Sequence, residues 1–110
     1  MTAFRAFLIL LWAIIALYTG VVIANHGLGL IPIFFGDMAK MTWPGQFNLD
    51  FMTLLMLSGL WVSWRHNFSL AGLALGLIAA VGGAAFLTLY LFVVSLQTKG
   101  DVKAMLLGDR

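Results

Sequence analysis

The side chains able to do chemistry are few: two histidines, four aspartates and scattered hydroxyls, with no cysteine. Without thiols there is no disulfide, thiolate nucleophile, iron–sulfur cluster or thiolate zinc site. His26 and His66 invite a haem or metal reading. Each follows an apolar stretch, however, and consecutive stretches run in opposite directions. The two imidazoles are therefore expected at opposite ends, about 30 Å apart if the stretches cross a bilayer. One chain cannot bring both to one ion; interfacial polarity, or ligation of a partner's cofactor, is what each has left. A serine nucleophile needs a base held by an acid. Thr53, Ser58, Ser63 and Thr88 lie in apolar stretches with no histidine or carboxylate at their depth. Hydroxyls so placed bond back to their own helix or across a packed interface. The chain is thus expected to be no enzyme, with no catalytic residue, cofactor or metal ligand. Asp50 is the position of most interest, because an ionisable group entering an apolar helix is expensive. With Asn48 it makes a candidate polar site at the mouth of a helix bundle, or simply caps that helix.

What must position these residues is a chain that water does not suit. Its 110 residues are 63% hydrophobic and 9% charged, with mean hydropathy +1.05. Soluble domains carry about 25% charged residues, so most of this surface calls for lipid. The charges fall at Arg5, Asp37, Lys40, Asp50, Arg65, Lys99, Asp101, Lys103, Asp109 and Arg110, leaving uncharged stretches 6–36, 51–64 and 66–98. A spanning helix needs about 20 apolar residues; the middle stretch reaches that only by borrowing 46–50. Net charge is +2 from scattered basic residues, which makes no nucleic-acid surface. Arg5, the apolar run behind it and Val22-Ile23-Ala24 mimic a signal peptide, but the run exceeds the usual length of such a core and is expected to be retained.

The expected architecture is all-α: one membrane domain of three transmembrane helices at about 4–24, 47–64 and 69–96. The first ends at Asn25-His26-Gly27, where Asn and Gly suit a left-handed close. Between the first two lies a greasy but Gly- and Pro-punctuated segment that cannot face lipid tails as irregular backbone. It is expected at the interface as a short helix near 33–41, with Phe34, Met38 and Met41 on one side and Asp37 and Lys40 on the other. Asn48 is expected to cap the second helix, with Asp50 meeting the dipole in its first turn. Trp43, Trp61 and Trp64 mark the membrane boundaries.

The third helix would be about 42 Å long if straight, so it must tilt, bend near Gly82-Gly83, or emerge from the bilayer. Every fourth residue in it is small: Gly72, Gly76, Ala80, Ala84 and Thr88. Such a stripe lets another backbone approach closely, and Ala16, Gly20 and Ala24 offer a shorter match. The tail is expected as a short interfacial turn with Val102, Met105 and Leu106 on one side. Three crossings put residues 2 and 67 on one side of the membrane, and 40 and 103 on the other. The charges favour neither orientation strongly; Arg5 ahead of the first helix favours N-in, C-out.

The stretches Trp43-Pro44-Gly45-Gln46-Phe47-Asn48-Leu49-Asp50-Phe51 and Trp61-Val62-Ser63-Trp64-Arg65-His66, with Gly82-Gly83, Tyr90 and Leu106-Leu107-Gly108, carry a resemblance. Over most of its length the chain resembles small three-helix bacterial membrane proteins of unknown function. That resemblance implies a multi-pass protein of the bacterial inner membrane and adds no activity. The expected function is a non-enzymatic accessory or scaffolding subunit. It would act through helix packing with the lipid bilayer, a membrane-protein partner or further copies of itself. A small oligomeric transporter or channel is the alternative.

Overall fold

The computed structural model describes residues 1–109, all in helices and short connections. The elements are α1 (Thr2–His26), α2 (Leu30–Ala39), α3 (Trp43–Arg65), α4 (Leu70–Gln97) and α5 (Val102–Leu107). α1 closes at Gly27, which takes φ 75°, a conformation that costs a residue without Cβ little. α2 carries Pro32 in its first turn, where a missing N–H is harmless. It lies against the start of α3. There Gly45 is buried with the backbone of Asp37 and Met38 where a Cβ would sit, and Asn48 Nδ2 donates to the Phe34 carbonyl at 3.0 Å.

α3 begins four residues before the expected start because Pro44 is suited to a first turn. Thr42, not Asn48, stands at its N-cap. Asn48 is therefore a cross-helix donor, and Asp50 lies in the second turn with its side chain exposed. In length α3 could cross a membrane, but Gln46, Asn48, Asp50, Thr53, Ser58 and Ser63 dilute its apolarity. Two helices, α1 and α4, are long and apolar enough to cross, not three.

α4 departs most from expectation. Ser69 caps it, accepting from the Gly72 N–H at 3.1 Å. At Gly83 the backbone leaves the helix, with φ 59° and ψ −145°, a combination essentially reserved for glycine. The neighbours on either side show what the break does. Before it, Gly76 meets Gly59 and Ser63 of α3, while Gly83 meets Phe51 and Leu55, so residues 70–82 run antiparallel to α3. After it, Tyr90 meets Trp61 and Arg65, so residues 84–97 run back parallel to α3. α4 is a helical hairpin with arms of about 20 Å each, not a 42 Å rod.

The consequence is that the chain's ends meet. Arg5 of α1 donates from Nε to Ser95 Oγ at 2.9 Å and from Nη2 to the Ser95 carbonyl at 2.8 Å, and Met1 lies against Gly100. The alternating arrangement expected for residues 2, 67, 40 and 103 is thereby corrected. Residues 2, 67 and 103 share one end, while Lys40, at the start of α3, lies at the other. In α5, Val102, Met105 and Leu106 lie on one side of the helix, but of the three only Met105 is buried, while Val102 and Leu106 are exposed. Val62, Ala79, Tyr90, Val94 and Met105 form the core, gathered from α3, both arms of α4 and α5.

Candidate functional site

Where α3, the hairpin ends and α5 converge, the chain buries a charge. Arg65, the last residue of α3, is 8% exposed. Its Nε donates to the Met105 carbonyl at 2.6 Å and Nη2 to the Ala104 carbonyl at 3.1 Å, while Trp61 Nε1 donates to Leu106 at 3.0 Å. The last carbonyls of a helix have no partner within it and carry its negative dipole end. A guanidinium offers five donors in a rigid fork. Arg65 and Trp61 together thus satisfy the C-terminus of α5, and Gly108, at φ 69°, folds the chain tightly over the Arg65 backbone.

The same guanidinium reaches into α4. Arg65 Nη1 donates to the Tyr90 hydroxyl at 3.2 Å and lies 3.5 Å from His66 Nε2. Tyr90 and His66 are joined at 2.7 Å. The hydroxyl oxygen accepts from Arg65 and still has a second lone pair and its own proton, so the bond to Nε2 runs in either direction according to the imidazole tautomer. Burial first, and then the Arg65 charge, push the His66 pKa below its ordinary value of 6.5, with Asp109 pulling the other way. Trp61 and Phe86 flank the Tyr90 ring, Trp61 edge-on at 5.9 Å and Phe86 stacked at 5.6 Å. A cavity of about 460 Å³ opens here, lined by Arg65, His66, Asn67, Ser69, Gln97, Thr98 and Asp109 among others.

The residues singled out by sequence lie elsewhere. Asn48 joins α3 to α2, and the Asp50 carboxylate makes no ion pair or hydrogen bond among the described residues. Gly72 and Gly76 are buried, Ala80 half-buried, and Ala84 sits beyond the break, exposed. Gly76 and Ala80 neighbour α3 at Gly59, and Gly72 lies against His66 and Ser69; a Cβ on Gly76 would meet the Ser63 hydroxyl and the Gly59 carbonyl. Gly20 of the α1 stripe has nothing within 4 Å of where its Cβ would be. His26 is exposed at the end of α1. The cluster at Arg65 escaped the sequence reading because its partners lie 25 to 40 residues away. The usable signal was the position of Arg65: a charge directly behind Trp61 and Trp64 at a helix end needs an acceptor. Among the described residues no three histidines or aspartates gather as metal ligands. No family model, curated protein or solved structure matches the chain.

Proposed function

We propose that this is an integral protein of the bacterial inner membrane, a non-enzymatic accessory subunit that binds a larger membrane assembly through α1. The membrane reading rests on the outer surface. Leu17 is 72% exposed, Leu77 69% and Val81 78%, within a nearly continuous apolar exterior; monomers in water rarely leave apolar patches beyond a few hundred Å². In this reading α1 crosses, and α3 crosses back on its length of 23 residues despite its polar content. α4 is apolar enough to cross but is broken at Gly83 into arms too short to span, so it enters as a hairpin from the side where Met1 and Gly100 meet. Arg5, Arg65, Lys99 and Lys103 are at that end and Lys40 at the other, so the positive-inside rule makes the termini cytoplasmic. α1 is held to the hairpin by Arg5 and Leu8, which favours a resident helix over a cleaved leader.

The accessory role rests on one observation. Every residue of α1 from Leu17 to His26 is exposed, because the hairpin it packs on turns back at Gly83. That free half carries Gly20 and Ala24, whose small size suits the close approach of another transmembrane helix. Transport has less behind it: the Thr53 and Thr88 hydroxyls bond to the carbonyls of Asp50 and Ala84 in their own helices. Of the mid-depth hydroxyls named at the outset, that of Ser58 is the one buried without a partner among the described residues.

The test is photo-crosslinking from position 20 in native membranes, with position 76 as a buried control. A discrete adduct with a second membrane protein from position 20 alone is the expected result. Adducts with lipid only would refute the accessory role, and a ladder of self-adducts would move the reading to an oligomer. Single cysteines at Thr2, Lys40, Asn67 and Lys103 check the topology independently. Residues 2, 67 and 103 should label from one side and 40 from the other.

A further inference from the structure

The geometry points to a binding site for a phosphate oxyanion in the cavity between Arg65, His66, Gln97 and the α5 terminus. Arg65 is more than nine-tenths buried and lines this cavity, yet all its partners are neutral: two carbonyls and a hydroxyl. Among the described residues the one ion pair is Lys40–Asp37, at the other end of α3, so Arg65 has no carboxylate in contact, and Asp109 shares only the cavity lining with it. The α5 dipole offsets roughly half a charge at most, and a buried charge so weakly compensated favours an anion beside it.

The remaining donors are placed to take one. The Arg65–Tyr90–His66 cluster engages Nε2 of the imidazole, and Nδ1 has no partner among the described residues; in the tautomer with its proton on Nδ1, or with the ring protonated, that nitrogen is a free donor. Arg65 Nη2 makes one bond, leaving its second N–H. The carboxamides of Asn67 and Gln97 line the cavity and form no hydrogen bond within the described chain. These donors come from α3, the turn after it and the second arm of the hairpin. Donors from several directions suit an anion with several oxygens, and the cavity, at about 460 Å³, has room for a phosphate group. Asp109 stands on the same lining as the single carboxylate among the described residues and opposes the ligand, so it sets the affinity lower than the donors alone would. A phosphate can arrive as inorganic phosphate or as a phospholipid headgroup, which the membrane reading above would place at this depth.

The experiment is a thermal-shift titration of the full chain in neutral detergent. One arm uses inorganic phosphate against chloride at matched ionic strength, the other short-chain phosphatidic acid against phosphatidylcholine. Stabilisation by phosphate identifies a free-anion site, and stabilisation by phosphatidic acid alone identifies a headgroup site; either supports the proposal. Gln97→Ala combined with His66→Phe should weaken the response at least fivefold. Asp109→Asn should strengthen it severalfold while leaving the ligand-free midpoint nearly unchanged. No stabilisation in either arm would overturn the site, as would an equal response in all variants. These readouts do not involve α1, so they fail or succeed independently of the accessory role.

Discussion

The end of the molecule built around Arg65 and the free half of α1 both carry aromatic and polar side chains, histidine and tyrosine among them, yet one is knitted together and the other is bare. At the first, Arg5, Trp61, Arg65, His66 and Tyr90 each bond to an element distant in sequence. At the second, Tyr18, Asn25 and His26 bond to nothing further along the described chain and every side chain faces outward. In an apolar solvent hydrophobic contact does little to hold helices together, and hydrogen bonds and close backbone approach do the work. The molecule is therefore rigid where donors meet carbonyls and open where only greasy surface is available.

That contrast is broken most directly at Arg65. Arg65→Met would keep the length of the side chain but strand two α5 carbonyls and leave the Tyr90 hydroxyl with His66 alone. Unmade buried hydrogen bonds of this kind should together cost about 3 kcal/mol, seen as a lower unfolding midpoint in detergent. A loss under about 0.5 kcal/mol would mean water replaces the guanidinium and the knitted end is looser than its distances indicate. Gly76→Leu comes next, since its side chain must displace the Ser63 hydroxyl and the Gly59 backbone. Overpacking there should cost about 1–3 kcal/mol, whereas Gly20→Leu on bare α1 should be silent to within about 0.5 kcal/mol. Equal effects at the two glycines would erase the distinction between the regions.

Acid sharpens the comparison without mutation. Because the folded chain holds His66 below 6.5, its contribution to stability is present above the unfolded value and is lost as pH falls through the folded one. Melting midpoints should decline over that window, and His66→Asn should flatten the decline. Parallel curves for the two proteins would assign the pH dependence to the aspartates instead. The smallest effect belongs to Asp50→Asn, which removes an exposed charge with no partner among the described residues and should change stability by less than about 0.5 kcal/mol.

Helix existence was legible because uncharged runs bounded by charges and Gly or Pro leave little alternative. The close of α1 at Gly27, the short α2 and the tail helix were readable from the same punctuation. Less legible was the start of α3: Asn48 is a good cap by type, but Pro44 four residues earlier set the first turn. The small-residue rule identified Gly72 and Gly76 but could not name α3 as the neighbour of Gly76. It also ran on to Ala84, because spacing does not register a reversal of direction. Gly82-Gly83 flagged a bend, yet nothing local distinguishes a bend from a fold-back. That difference lies in contacts such as Phe51 with Gly83 and Trp61 with Tyr90, which are long-range.

Gly83 also fixes a parity. With the break, the topology proposed above has an even number of crossings, and the tail stays beside the start of the chain. Were residue 83 to take helical dihedrals, the two arms would join into a rod of about 42 Å, ample for a complete passage. The count would become odd, and Lys99 and Lys103 would be carried to the opposite compartment against their preference for the cytoplasm. In that proposed topology the lysines and the glycine favour one outcome by independent means, one energetic and one steric. A variant with both Gly83→Leu and the two lysines made neutral should populate a second, inverted-tail topology that neither change yields alone.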